Sequence, residues 1–215
     1  MNNYLVQTLI GIFTIDKGKI KILLMRKKTD PYKGYWILPG NFLKDEPLEV
    51  NVEDSISNIG LPNLFYQQAK TYNNIELDQD KKVLSISYIG LIDNITCALK
   101  SIKIDGIDLE WFDVNSIPKT AFDQNLVISD LYSYFKSRIV NSNILKILFP
   151  SDFTLPELQK IYEQVLNTKL DRRNFRKKLI NLGYIIDTGD INEGYTGRPA
   201  KLYRFKEELE EKNLF

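Results

Sequence analysis

The segment 171–183 constrains the fold of this chain more than any other feature. Its apolar side chains recur at the spacing of one helical face, which we expect to pack inward: Phe175, Leu179, Ile180 and Leu182. Asp171 precedes the helix, where its side chain can accept from unpaired backbone amides, and Gly183 follows it, where a left-handed residue ends a helix. The sequence therefore predicts an amphipathic helix with a basic outer face.

A second helix and a hairpin flank this segment. The stretch 153–166 carries Thr154 as its expected N-cap and directs four apolar side chains inward: Leu158, Ile161, Tyr162 and Val165. After the basic helix, the β-prone runs 184–187 and 200–205 surround a glycine-containing tip, which indicates a hairpin. Two helices and a hairpin in this order predict a winged helix-turn-helix domain, which we assign to residues 141–215.

The distribution of charge favours DNA as the partner of this domain. Residues 171–178 hold five basic side chains and one acid, whereas residues 141–215 hold 13 basic and 11 acidic side chains. A local basic excess on a nearly neutral domain is typical of a helix that enters a DNA groove, where it displaces counterions and contacts base edges. The candidate DNA-binding residues are Arg172, Arg173, Asn174, Arg176, Lys177, Arg198 and Lys201. The alternatives are a solvated basic surface and a winged helix that contacts protein.

Composition excludes several other functions. The single cysteine, Cys97, cannot form an internal disulfide, and a chain without histidine offers neither a plausible zinc site nor histidine acid-base catalysis. No apolar run approaches the roughly 18 residues that a membrane-spanning helix needs, and the N-terminus lacks a signal-peptide pattern. We therefore expect a cytoplasmic protein that has no cofactor, no metal and no membrane partner.

Residues 1–140 alternate predicted strands with two helices. The expected strands are 4–15, 19–25, 36–40, 64–72, 83–91 and 108–114, and the expected helices are 46–59 and 124–139. The turn at Asp16, Lys17 and Gly18 joins the first two strands as a hairpin. These residues carry 16 basic and 17 acidic side chains, and we assign them to a separate first domain.

The segments 21–26, 36–49 and 58–61 resemble a Nudix domain. Together with the winged helix, and with four further segments in matching order, they resemble the Nudix-related transcriptional regulators of the NrtR-like family: 82–88, 121–123, 171–177 and 196–205. The resemblance implies an α/β (α+β) fold, in which a Nudix-like α/β/α sandwich at 1–140 precedes the winged helix. It also implies a repressor that binds an inverted-repeat operator as a homodimer and senses a nucleotide or sugar, such as the ADP-ribose of NAD metabolism.

The catalytic signature of Nudix enzymes is altered here. Active members carry an Arg-Glu pair and then a Glu-Glu pair on one helix, because several carboxylates must hold Mg²⁺ against a diphosphate. The corresponding stretch, 54–61, reads Asp-Ser-Ile-Ser-Asn-Ile-Gly-Leu. We therefore expect a domain that binds its ligand without hydrolysing it. The alternative is a diverged Nudix hydrolase of a nucleoside diphosphate derivative, with a regrouped set of acids: Glu46, Glu49, Glu53 and Asp54.

The same resemblance suggests residues that bind the effector. Four basic side chains lie where they could meet phosphates: Arg26, Lys28, Lys44 and Lys82. Two aromatic side chains, Phe42 and Tyr88, could stack on a base or a sugar. The ordinary alternative for each lysine is a solvated surface position, and for each aromatic residue a place in the core. Gln124 departs from the family, whose members often have histidine there.

Overall fold

The computed structural model describes residues 4–61, 64–73, 82–93, 103–104, 106–122, 124–192 and 199–214. The chain divides into two compact units. The first comprises Met1–Asp16 and Ile20–Tyr134, and the second comprises Lys17–Lys19 and Phe135–Phe215. Helix α2, Gln124–Asn141, begins in the first unit and ends in the second. No helix in the described part of the chain combines the length and the apolar character needed to cross a membrane.

Seven strands of the first unit form one mixed sheet. Their bounds are β1 Leu5–Asp16, β2 Lys19–Arg26, β3 Trp36–Ile37, β4 Phe65–Tyr72, β5 Val83–Leu91, β6 Lys103–Ile104 and β7 Ile107–Asp113. The order is β4-β5-β1-β2-β7-β6, with β3 also paired to β2. Strands β1 and β5 run parallel, with Leu5 opposite Val83, whereas β2 pairs antiparallel with β3 and β7. The predicted hairpin between β1 and β2 is confirmed, and it turns through left-handed backbone at Lys17 and Gly18.

Helices cover both faces of this sheet. Helix α1, Leu48–Asn58, packs Val52 and Ile56 into the core that holds Ile10 and Ile12 of β1. On the other face, the side chain of Leu131 in α2 lies against Gly11, where a Cβ atom would come within 2.9 Å of it. The predicted α/β/α sandwich is therefore confirmed. The first helix begins at Leu48 and not at residue 46, because Pro47 at its N-cap has an extended backbone.

The second unit contains two amphipathic helices and a three-stranded sheet. Helix α3 is Leu155–Leu166 and helix α4 is Arg172–Leu182. The strands are β8 Phe153–Thr154, β9 Ile185–Asn192 and β10 Ala200–Phe205, in the order β8-β10-β9, and a 3-10 helix spans Ile144–Ile147. The predicted cap of α3 is confirmed, since Thr154 is its N-cap and the backbone N of Thr154 donates to Glu157 Oε2 over 2.7 Å. Helix, helix and hairpin form the expected winged helix-turn-helix.

A C-terminal tail, residues 206–214, returns along the second unit. The fully buried side chain of Asn143 donates to the backbone oxygen of Glu208 over 2.8 Å and accepts from the backbone N of Glu210 over 2.7 Å. The buried Tyr184 hydroxyl is hydrogen-bonded to the backbone N and O of Lys212. Because Asn143 follows α2 and Tyr184 follows α4, the tail joins the ends of these two helices.

Candidate DNA interface and ligand cleft

Helix α4 is fixed at both ends and along one face. Asp171 Oδ1 accepts from the backbone N of Asn174 over 2.8 Å, and Gly183 ends the helix with a φ of 73°. Phe175 and Leu179 are buried, and the ring of Phe175 meets that of Tyr162 in α3 edge to face at 5.2 Å. These contacts hold the helix so that its opposite face points away from the core.

That opposite face carries the residues predicted to bind DNA. All five on the helix are exposed: Arg172, Arg173, Asn174, Arg176 and Lys177. Ile180 is also 41% exposed, so the prediction that it packs inward with Phe175 and Leu179 is wrong. Each residue advances a helix by about 100°, which brings Ile180 close in angle to Arg173 and separates it from Phe175. The outer face of α4 is therefore basic with one apolar side chain.

The hairpin β9–β10 brings further charges beside this helix. Lys201 Nζ lies 2.9 Å from Asp187 Oδ2, and Arg176 Nη2 lies 3.9 Å from the same oxygen. The Arg176 guanidinium also lies over the ring of Tyr203, 5.8 Å from its centroid. The hydrogen bond from Lys201 and that from the backbone N of Gly189 hold the pKa of Asp187 below its usual range. The remaining predicted hairpin residue, Arg198, lies outside the described residues.

A groove of about 520 Å³ runs beside the start of α4. It is lined by Lys169, Leu170, Asp171, Asn174, Phe175, Lys177, Lys178 and Asn181. Glu163 fixes the turn before the helix, because its carboxylate accepts from the backbone N of Leu170 and from Lys169 Nζ, each over 3.0 Å. The backbone bond to Leu170, followed by those from Gln159 and Lys169, lowers the pKa of Glu163 to about 2. The cations and amides of the groove are suited to hydrogen bonds with phosphate oxygens.

The first unit contains a separate cleft of about 390 Å³. Gly40 allows one wall to form, because a Cβ atom there would lie 2.0 Å from the backbone oxygen of Thr8. The backbone N atoms of Thr8 and Ile10 donate to Asn41 and Pro39 over 2.9 and 2.8 Å, which ties this wall to β1. The lining residues are Leu5, Gln7, Leu9, Lys27, Ile37, Leu38, Gly40, Asn41, Phe42, Phe122 and Gln124.

Polar side chains in this cleft are positioned by hydrogen bonds to its walls. Gln124, the first residue of α2, accepts from the backbone N of Leu38 over 2.7 Å. Gln7 Nε2 donates to Ser85 Oγ on the neighbouring strand, also over 2.7 Å. Phe122 has a left-handed φ of 55°, and its ring packs edge to face on Tyr32 at 4.9 Å.

Lys27 brings the one positive charge among the described residues that line the cleft. Its Nζ donates to the backbone oxygen and the hydroxyl of Thr29, over 2.7 and 2.9 Å, and lies 5.7 Å from the centroid of the Phe122 ring. The cleft thus combines two phenyl rings, three side-chain amides and an ammonium group in a volume typical of small-molecule sites.

Among the predicted effector-binding residues, Phe42 lines this cleft and the others lie elsewhere. Arg26 donates to the backbone oxygen of Gly34 over 3.2 Å, and Lys28 Nζ lies 3.7 Å from Asp108. Lys44 is exposed after the cleft wall, and Lys82 Nζ lies 5.9 Å from the ring centroid of Tyr4. Tyr88 is a correction, because its side chain is 6% exposed and packs in the core beneath α1, where it cannot stack on a ligand.

Gln7, Lys27, Asn41, Phe122 and Gln124 are cleft residues that sequence reasoning did not assign. A glutamine in a largely apolar strand is a signal that could have identified Gln7. Lys27 lies between two residues that were assigned, Arg26 and Lys28, and Phe122 belongs to a segment that carried the family resemblance. Asn41 also lies in a segment that carried the resemblance, and Gln124 stands where family members often have histidine, but neither was assigned, because their place in the cleft depends on contacts between distant segments.

Two acids in or just before α1 are hydrogen-bonded to neighbouring side chains. Glu46 Oε1 accepts from Asn51 Nδ2 over 2.8 Å, and Glu53 Oε1 accepts from the hydroxyl of Tyr66 over 3.1 Å. In the part of the chain that the structure describes, no cluster of three or more acidic or thiol side chains could hold a metal ion. Fold and sites together define a two-domain protein, with a Nudix-type domain followed by a winged helix.

Comparison with known proteins finds similarity to NrtR-type regulators. Residues 147–205 match the family of the NrtR DNA-binding winged helix domain. Over 202 residues the chain is 29% identical to the "ADPR responsive transcriptional repressor NtrR" of Acinetobacter baylyi, covering 91% of this chain and 80% of that protein. Over 112 residues it is 34% identical to the ADP-ribose pyrophosphatase of Methanocaldococcus jannaschii, covering 51% of this chain and 64% of that protein.

Two of the solved structures that are similar to this chain are NrtR structures. Shewanella oneidensis NrtR complexed with a 27mer DNA matches with a TM-score of 0.80 and 26% identity, over 94% of this chain and 93% of that chain. The Nudix domain of the same protein, complexed with ADP ribose, matches with a TM-score of 0.51 and 24% identity, over 65% of this chain and 90% of that chain. The chain is thus similar, over most of its length, to NrtR-like, Nudix-related regulators.

Proposed function

We propose that this protein is a transcriptional repressor that binds double-stranded DNA through helix α4 and the β9–β10 hairpin. The observation that carries the proposal is the exposed basic face of α4, held outward by the buried Phe175 and Leu179. Arg173 and Lys177 lie at the centre of that face, where a helix in the major groove meets base edges and phosphates. Arg172, Asn174, Arg176 and Lys201 surround them, and Arg198 is part of the proposal from sequence alone.

The active form in this proposal is a homodimer on an inverted repeat. One helix of 11 residues contacts few base pairs, and a two-fold dimer doubles the contacts on two half-sites. A location in the cytoplasm belongs to the same proposal, because a repressor acts where its DNA is. A dimer of this kind predicts that DNA affinity depends on the spacing of the half-sites, in steps of about one helical turn.

The effector in this proposal is ADP-ribose, bound in the cleft between β1 and the start of α2. The similar Acinetobacter baylyi repressor is named for its response to this compound. Phe42 and Phe122 offer rings for the adenine, while Asn41 and Lys27 offer hydrogen bonds to hydroxyl and phosphate oxygens. The ligand would act by binding better to one of two arrangements of the protein, since only differential affinity shifts an equilibrium.

Binding without hydrolysis is the third part of the proposal. The stretch 54–61 has Asp54, Ser55, Asn58 and Ile59 where Nudix enzymes need arginine and three glutamates. Glu46 and Glu53 are engaged with Asn51 and Tyr66. The similarity to an ADP-ribose pyrophosphatase favours the alternative, a diverged hydrolase. Incubation with ADP-ribose and Mg²⁺ distinguishes the two: the proposal requires that no AMP is released, and steady release of AMP contradicts it.

DNA binding is tested with a duplex selected by the purified protein from a random-sequence pool. The Arg173→Ala variant should bind the selected duplex at least about fivefold more weakly, because a base contact of arginine contributes about 1–3 kcal/mol. The matched control is Lys33→Ala, which removes an exposed cation from the first unit and should leave affinity unchanged. Equal affinity of wild type and Arg173→Ala would rule out α4 as the DNA-binding helix.

A further inference from the structure

Ile180 is an apolar side chain on the surface of α4 that faces DNA in the proposed function. It is 41% exposed and lies three and four residues after Lys177 and Arg176, and seven after Arg173. Side chains at these intervals share one helical face. Phe175 and Leu179, on the opposite face, supply the apolar packing of the helix. Ile180 is thus far less buried than the two side chains that attach α4 to its domain.

Single exposed apolar residues are common on protein surfaces, so exposure alone assigns no role to Ile180. Its neighbours do point to a role, because Arg173, Arg176 and Lys177 make the same face basic and suited to the major groove. A residue carried into that groove meets base edges, and the apolar group that these edges present is the C5-methyl of thymine. The hydroxyl-free, branched side chain of isoleucine can contact that methyl group but can form no hydrogen bond with a base.

We infer that Ile180 contacts a thymine methyl group in the major groove and so contributes to sequence specificity. The inference rests on the proposed DNA-binding function. It adds a specificity-determining residue to the side chains that bind phosphates and base edges. On the helix, the angle of Ile180 falls between those of Arg173 and Arg176. Arg176 contacts Asp187 and Tyr203 of the hairpin, so Ile180 lies towards the hairpin side of α4. Discrimination at that thymine therefore comes from apolar contact, whereas discrimination at neighbouring bases comes from hydrogen bonds of arginine and asparagine.

The test replaces thymine by deoxyuridine, which removes only the methyl group. The probe is the duplex that the full-length protein selects from a random-sequence pool, with each thymine replaced in turn. At one thymine per half-site, wild type should bind the deoxyuridine duplex about fourfold more weakly, the size expected for one methyl group removed from apolar contact. Ile180→Ala should bind the thymine duplex more weakly by about the same factor and should no longer distinguish the two bases.

Val50→Ala is the matched control. Val50 is 41% exposed on helix α1 of the first unit, and the Val50→Ala variant should retain the full preference for thymine. Alanine favours helix more than isoleucine does, so Ile180→Ala should fold, and circular dichroism verifies this. The inference is overturned if Ile180→Ala discriminates as wild type does, which is also the result expected if Ile180 contacts protein. It is equally overturned if wild type binds but ignores every methyl group. If wild type selects no duplex at all, the proposed function itself fails.

Discussion

Asp187 and Lys201 form an ion pair across the β9–β10 hairpin, with 2.9 Å between Oδ2 and Nζ. Arg176 of α4 lies 3.9 Å from the same carboxylate oxygen. One acid therefore faces two of the cations proposed to bind DNA, one from the helix and one from the hairpin. Phosphate oxygens would compete with this carboxylate for Lys201 and Arg176.

Replacing Asp187 by asparagine should strengthen DNA binding. The change removes a negative charge from the proposed interface and releases two cations, so we expect a gain of about 0.5–1 kcal/mol at low salt. The dependence of affinity on salt should also become steeper, because more counterions are released on binding. The matched control is Asp152→Asn, which frees Arg204 on the same domain. An equal gain for both variants would show a general charge effect and no particular role for Asp187.

Asn143→Ala tests the attachment of the C-terminal tail, and Asn141→Ala is its matched control. Asn143→Ala leaves the backbone O of Glu208 and the backbone N of Glu210 without their partner, which should destabilise the second unit by about 2–4 kcal/mol. Asn141 is exposed and donates within its own helix to Ser137, so Asn141→Ala should change stability by less than about 0.5 kcal/mol. Urea unfolding followed by circular dichroism measures both, and equal stability of the two variants would contradict the role assigned to the tail.

Glu163 should make the stability of the second unit depend on pH. Its pKa falls to about 2 in the folded protein, below its usual range in an unfolded chain, so folding favours the ionised form. The contribution is complete above about pH 5 and is lost as the pH falls towards 2. Glu163→Gln should therefore be less stable than wild type at neutral pH and should approach it in acid. A stability difference that stays constant from about pH 7 to about pH 2.5 would refute this. The control is the exposed Glu207→Gln.

Gly40 should tolerate no side chain. A Cβ atom would lie 2.0 Å from the backbone oxygen of Thr8, so Gly40→Ala should cost about 3 kcal/mol and weaken ADP-ribose binding at the displaced cleft wall. Gly106 also has a positive φ, 84°, but a Cβ atom there would meet nothing within 4 Å, and Gly106→Ala should cost about 1 kcal/mol. Both tryptophans, Trp36 and Trp111, belong to the first unit, so their fluorescence in urea measures its unfolding. Similar costs for the two variants would contradict the close approach at Gly40.

The sequence predicted those features that depend on local pattern. The caps of α3 and α4 at Thr154 and Asp171 follow from side chains next to a helix start, and periodicity identified both helices. Ile180 was assigned to the wrong face because it is apolar, although the angle at which it leaves the helix is closer to Arg173 than to Phe175. Hydrophobicity outweighed helical angle in that prediction.

The cleft was largely beyond prediction, because it forms where segments far apart in sequence meet. Gln124 meets Leu38 across 86 residues, and no local pattern indicates that contact. Tyr88 was expected at a ligand, but the alternating pattern of β5 also fits a core position, and burial beneath α1 decides between the two. The short strands β6 and β8 were not predicted, because two residues are too few for a periodic signal.

The most direct test of the whole account is the affinity of the full-length protein for its selected duplex, measured by fluorescence anisotropy while ADP-ribose is added. We expect specific binding that Arg173→Ala weakens, and a change in wild-type affinity that saturates as ADP-ribose fills the cleft. Asn41→Ala should bind the same duplex normally and respond only at higher ADP-ribose concentrations. Specific DNA binding that ADP-ribose leaves unchanged at every concentration would contradict the proposed effector, and the absence of specific binding would contradict the proposed repressor.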